Sequence, residues 1–184
     1  MTFDNDKKTF LQKQDKSKKG DIDENVKPLL AIINNHPDYY TTSSCSGRVY
    51  FWQGSGKKNE MEWLRVSHDV IDEDFLKIKD VKGLIWLRVE PLIMHICCKD
   101  RESANTLLEL ARQIYKKSAF LSISSKIILE IRGSEFLEMP LYNDGKLLFN
   151  GDLLFLKELI NDKMNKIHHG RERMEKILKG LRQL

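Results

Sequence analysis

The stretch Gly83 to Cys98 constrains this chain most, because both of its alternating faces are largely apolar. That is the pattern of a strand buried on both sides. Pro91 has no N–H to give to a ladder, so it predicts a bulge or break within the strand. Three helices are legible around it. Asp100 to Lys117 carries Ala104, Leu107, Leu108, Ala111 and Ile114 at three-to-four spacing behind Asp100, a good N-cap residue. Asp23 to Asn35 repeats the pattern through Val26, Leu29, Leu30 and Ile33, with Pro28 tolerable only near the first turn and Pro37 as the stop. Asp152 to Leu184 keeps an apolar stripe through Leu156, Leu159, Ile160, Met164, Ile167, Met174, Ile177, Leu178 and Leu181. Unbroken, it would run roughly 50 Å at about 1.5 Å per residue, and Gly170 is where it would split.

The remaining segments read as strands and turns. Tyr39 to Trp52 predicts strand, loop and strand around Ser43 to Arg48, and Met61 to His68 a further strand. Val70 to Asp80 reads as loop or short helix, Phe120 to Ile131 as a hairpin, and Glu135 to Leu141 as a strand or edge. Met1 to Ile22 is polar and lysine-rich, with Phe3, Phe10 and Leu11 as anchors, and reads as a short helix or partly ordered arm. There is no fixed-period repeat and no Gly/Ser/Pro-rich linker, so one domain over 1–184 is expected. Its class is α+β: a mixed or antiparallel sheet with packed helices and a long C-terminal helix.

Cys45, Cys97 and Cys98 cannot pair evenly, which points to the reducing cytoplasm, and no apolar run reaches the roughly 20 residues of a membrane span. A formal charge of only +4 makes attraction to nucleic acid a matter of where the basic residues sit. They gather at Lys7, Lys8, Lys13, Lys16, Lys18 and Lys19, and again at Lys163, Lys166, Arg171, Arg173, Lys176, Lys179 and Arg182. A solvated helix face is the plainer reading of the second set, since Glu172 and Glu175 dilute it.

The segment Thr41-Thr42-Ser43-Ser44-Cys45-Ser46-Gly47-Arg48 concentrates hydroxyls, a thiol, a glycine and a guanidinium. Hydroxyls and backbone N–H groups can surround a phosphate or carboxylate, and Arg48 offers a planar fork of donors; an ordinary polar turn has the same composition. Cys45 stands too close to Arg48 for a phosphatase loop, and Cys45, His68, His95, Cys97 and Cys98 lack paired zinc spacing, so no metal site is expected. His68, Glu90 and His95 would form a proton-moving group if their strands adjoin, whereas a lone buried imidazole is more often structural. Gly54-Ser55-Gly56-Lys57 lacks the hydroxyl residue and the strand-to-helix context of a phosphate loop, and no glycine-rich dinucleotide fingerprint is present.

The order of motifs along the chain resembles the wybutosine-synthesis methyltransferase family of archaea and eukaryotes. The likeness starts in LQKQDKSKKGDID, continues through Ile33-Asn34 and reaches TTSSCSGR at Thr41 to Arg48, its most specific mark. It goes on through Trp63, Ser67 and His68 in EWLRVSH and through Glu90, Pro91, His95 and Cys98 in VEPLIMHICC. Lys117-Ser118-Ala119-Phe120 and Ile131-Arg132-Gly133-Ser134-Glu135 follow in the expected order. Ala119 departs from the family's glycine.

The resemblance implies methyl transfer from S-adenosylmethionine to the N-4 ring nitrogen of the demethylwyosine intermediate beside the anticodon of tRNA-Phe, by a protein that is not a Rossmann methyltransferase. It implies a site with His68, Glu90 and His95 as catalytic residues and Ser43, Ser46, Arg48 and Ser118 on the methyl donor. Extruded bases are expected to stack on Tyr40, Trp52 or Trp63, since single-stranded loops are read by stacking. Arg132, Lys166, Arg171 and Arg173 would follow the RNA backbone; neither DNA nor a membrane is an expected partner. A noncatalytic module holding the same tRNA, and a thiol- or metal-dependent hydrolase around Cys45, are the competing readings.

Overall fold

The computed structural model describes residues 2–14, 22–54, 61–79 and 81–181. The chain divides into two compact units, one of Met1–Ser46, Leu92–Ser134 and His169–Leu184, the other of Gly47–Pro91 and Glu135–His168.

The first unit is built on a four-stranded antiparallel sheet in the order β1 (Tyr39–Cys45), β5 (Ile93–Cys98), β7 (Ile127–Arg132), β6 (Ala119–Ile123). Met94, Ile96, Leu129 and Ile131 are fully buried, and α2 (Lys27–Asn34) and α4 (Arg101–Arg112) pack on this sheet with Leu29, Ile33, Ala104 and Leu107. A capping box starts α4: Asp100 Oδ1 accepts from the Ser103 N–H at 2.8 Å, and the Asp100 N–H donates to Ser103 Oγ at 3.3 Å. Tyr39 Oη reaches the Ser103 carbonyl of α4 at 2.8 Å. Tyr40, its neighbour on the strand, projects to the opposite face. There α1 (Phe3–Gln14) lays Phe3 and Phe10 against the Tyr40 ring, at centroid distances of 5.4 and 5.6 Å.

The second unit carries a five-stranded antiparallel sheet, β3 (Glu62–Ser67), β2 (Arg48–Gln53), β4 (Leu84–Glu90), β8 (Leu137–Asn143), β9 (Lys146–Leu147). Val49, Phe51, Ile85, Leu87 and Val89 form its buried face. Phe51 stacks on Phe75 of α3 (Glu73–Leu76) at 5.8 Å, and Tyr142 Oη donates to the Leu76 carbonyl at 2.9 Å. Asn161 accepts from the Ile71 N–H and donates to the Ile71 carbonyl, both at 2.8 Å. That binds the segment before α3 to the last helix, α5 (Leu153–Leu181).

Four sequence expectations need correction. Gly83 to Cys98 is not one interrupted strand: β4 and β5 belong to different sheets and part at Pro91-Leu92. Pro91 ends the ladder of the first, and pairing resumes with new neighbours from Ile93. The loop expected over Ser43 to Arg48 shrinks to Ser46-Gly47, with Gly47 at φ +97°, so Ser43 and Arg48 are strand residues. Helix α5 continues through Gly170, where an added Cβ would lie 3.1 Å from Tyr115 Oη. Close packing, not a break, accounts for that glycine. Leu159, assigned to the buried stripe, is 37% exposed. Lys16, Lys18, Lys19, Lys57 and Arg182 lie outside the described residues.

Candidate active site

In the first unit Ser43, His95 and Glu130 are direct cross-strand partners on β1, β5 and β7. Such partners project to one face, so register alone lines up a hydroxyl, an imidazole and a carboxylate. Ser43 Oγ lies 2.8 Å from His95 Nδ1, and His95 Nε2 lies 3.2 Å from Glu130 Oε2. The ionised carboxylate only accepts, so Nε2 carries a proton; in the neutral ring Nδ1 is then the acceptor for the Ser43 hydroxyl. Ser43 is exposed, while His95 and Glu130 are half-buried. Glu130's partner on β6 is Ala119, which sets only a methyl group beside the carboxylate. One row along, Cys45, Ile93 and Arg132 share the same face, with Arg132 exposed.

The other hydroxyls nearby are structural ties. Thr41 is buried, and its N–H and Oγ1 both donate to Asn34 Oδ1, at 2.8 and 3.0 Å. Ser46 gives its N–H and Oγ–H to Asp23 Oδ2 at 3.0 Å each. Ser118 is buried; its carbonyl accepts from Arg112 Nε at 3.0 Å and its Oγ faces the Arg132 N–H at 3.4 Å. Within the Ser43 to Arg48 segment, Ser46 is spent on tying the end of β1 to Asp23.

In the second unit Arg48 donates from Nε and Nη2 to Glu90 Oε2 at 3.1 and 2.9 Å, and Tyr50 Oη donates to Glu90 Oε1 at 2.7 Å. Arg88 Nη1 reaches Glu90 Oε1 at 3.4 Å and Tyr50 Oη at 3.1 Å, and Arg88 also pairs with Glu138. Burial alone would raise the Glu90 carboxyl's pKa, but the Tyr50 hydroxyl and the Arg48 and Arg88 guanidiniums hold it below the usual value. His68 Nδ1 donates to the Gly47 carbonyl at 2.7 Å, and the His68 carbonyl accepts from His168 Nε2 at 2.9 Å.

Of the expected catalytic residues, His68 and Glu90 belong to the second unit and His95 to the first. Glu90 serves Arg48, Tyr50 and Arg88, and the carboxylate beside His95 is Glu130, which sequence reading passed over. Its only sequence signal is a charged residue amid the alternation of Ile127 to Arg132. Among the expected RNA contacts, Tyr40 and Trp52 are buried and Trp63 is 50% exposed. Arg132 and Arg173 are exposed, Lys166 pairs with Asp162 at 2.7 Å, and Arg171 Nη1 is buried with no partner among the described residues.

The family model described as Methyltransferase TYW3 matches residues 5–183, across the segments of both units. The chain belongs to this methyltransferase family. A relative in Pyrococcus abyssi, named tRNA(Phe) 7-((3-amino-3-carboxypropyl)-4-demethylwyosine(37)-N(4))-methyltransferase 2, is 34% identical over 174 residues, 91% of this chain and 83% of its own length. A tRNA wybutosine-synthesizing protein 3 homolog in Xenopus laevis is 32% identical over 172 residues, covering 88% of this chain and 68% of that protein. The solved structure of PH1069 protein from Pyrococcus horikoshii superposes with a TM-score of 0.87 at 33% identity, over 96% of each chain. The fold of this methyltransferase family member is α+β with two antiparallel sheets, not the parallel doubly wound sheet of a Rossmann enzyme.

Proposed function

We propose that this family member transfers a methyl group from S-adenosylmethionine to the N-4 nitrogen of the 7-(3-amino-3-carboxypropyl)-4-demethylwyosine base beside the anticodon of tRNA-Phe. It does so in the cytoplasm, with residues 1–184 acting as one domain. Family membership and the names of the archaeal relatives support the reaction class. The Ser43–His95–Glu130 row is the observation that carries the mechanism. When bound, S-adenosylmethionine supplies an electrophilic methyl whose sulfonium leaves as a neutral thioether. The acceptor nitrogen loses its proton as the new N–C bond forms, so a base within reach lowers the barrier. Ser43 takes that proton as it passes its own to His95 Nδ1, and Glu130, holding Nε2–H, stabilises the resulting imidazolium; this is the logic of a hydrolase triad with the two ring nitrogens exchanged.

For the donor's carboxylate the residues present fit: Arg132 is exposed on the face of the row, and its side chain has no partner among the described residues. Ser46 and Ser118 act by fixing β1 and the corner before β6. The test is incubation with labelled methyl donor and tRNA from a strain lacking this protein, with the product nucleoside identified by mass spectrometry. A methylated wyosine derivative is the expected product. His95→Ala is expected to lower kcat by about 10² or more, and Glu130→Gln by less. Unlabelled tRNA, or an undiminished rate in His95→Ala, overturns the proposal; tRNA binding without donor binding would leave a noncatalytic holding module.

A further inference from the structure

The second unit's sheet has a second face, opposite Val49, Phe51, Leu87 and Val89, and its composition is unusual. The chain's three tryptophans all stand on it in one cross-strand row, Trp63–Trp52–Trp86, on β3, β2 and β4. Trp52 and Trp86 stack at a centroid distance of 5.8 Å and 16°. Both β-bulges of this sheet fall beside the row, between Phe51 and Trp52 in the pairing with β3 and between Ile85 and Trp86 in the pairing with β8. Bulges re-aim side chains, and here they hold three indoles on one side.

Guanidiniums brace this surface. Arg48 Cζ lies 4.1 Å from the Trp63 ring centre and 4.9 Å from that of Tyr50, and Arg88 Cζ lies 4.9 Å from that of Trp52. Glu90 and Glu138 anchor the two arginines, so the rings are held by ion-paired planes. Two N–H donors are left over. Among the described residues, Trp52 Nε1 is buried with no partner and Arg48 Nη1 makes no bond. Buried polar atoms are ordinarily satisfied, so an orphaned indole N–H at the centre of an aromatic row marks a place for an acceptor. Trp63 alone keeps half its surface open.

We propose that this row is a stacking surface for unpaired nucleobases of RNA, with Trp63 taking a base on the side away from Arg48 and the spare Arg48 N–H meeting a phosphate oxygen of the strand that carries it. Electron-rich acceptors joined to a flat π-face are what a nucleotide offers to spare donors beside an indole, and single strands are bound by such platforms. Arg48 is then a positioning residue that stiffens Trp63. This rests on the tRNA reading above and deepens it by naming the surface.

Intrinsic tryptophan fluorescence reports on this face alone, because no tryptophan lies elsewhere. The full chain is titrated with an anticodon stem-loop RNA and, separately, with a blunt duplex of the same length. Quenching by the stem-loop at concentrations where the duplex gives little is expected. Trp63→Ala should weaken stem-loop binding about 10-fold, the effect of losing one stacked base, and Trp63→Phe should restore most of it. Equal quenching by the duplex, or unchanged affinity in Trp63→Ala, overturns the surface. The methyl-transfer assay separates the two proposals. Transfer with an unaltered tRNA KM in Trp63→Ala sinks the surface and spares the reaction, whereas Trp63-dependent binding without transfer does the reverse.

Discussion

Single side chains in this protein are read correctly only with their partners. Glu90 illustrates it: three donor groups converge on one carboxylate whose side chain is 27% exposed, which makes it a structural node of the second sheet. Its folded-state pKa is depressed, so the stability it contributes is full above the ordinary carboxyl value near 4.5 and is lost as pH falls through the lower folded value. Tyr50→Phe removes a buried hydroxyl that donates to Glu90 and accepts from Arg88. We expect it to cost about 1 kcal/mol at neutral pH and to move the acid unfolding transition to higher pH. Urea melts from pH 3 to 7 would check this, and an acid limb coinciding with the parent's would refute it. Glu130 gave no such warning in the sequence, because its relation to His95 exists only across the β5–β7 ladder.

At the scale of elements, periodicity was a good guide wherever one face meets the core. The stripe of Asp100 to Lys117 became α4, which stops at Arg112, short of Ile114; that of Asp23 to Asn35 became a 3-10 turn and α2, and the hairpin over Phe120 to Ile131 became β6 and β7. Glycine was ambiguous. Gly170 has the propensity of a helix breaker yet sits inside α5 against Tyr115, whereas nothing lies within 4 Å of a Cβ added at Gly180. Alanine at Gly180 should therefore raise stability by about 0.5 kcal/mol through helix propensity. Gly170→Ala should lose that gain, because the hydroxyl and two ring atoms of the buried Tyr115 stand 3.1 to 3.5 Å from the new methyl. Paired thermal melts would show it, and equal stabilisation by both would remove the packing account.

For the whole molecule, a formal charge of +4 leaves any attraction to tRNA to where the basic residues sit. If stacking at Trp63 carries part of the affinity, the slope of log K against log salt should be shallow, about −3. Filter binding from 50 to 300 mM salt would measure it; a slope several times steeper would assign binding to the basic clusters. The chain passes between its two units at Ser46/Gly47, Pro91/Leu92, Ser134/Glu135 and His168/His169, so neither unit is a continuous stretch of sequence. That is why no linker was visible, and why the run from Gly83 to Cys98 resembled one strand while supplying two sheets. Left to itself, the sequence determined the α+β class, the principal helices and strands, and the motif order that marks the family, because these depend on local pattern and on residue identity. Tertiary structure decided which carboxylate meets which imidazole and which aromatic stays open, because both follow from strand register, which joins residues tens of positions apart by backbone hydrogen bonds that leave no mark on the side chains they align.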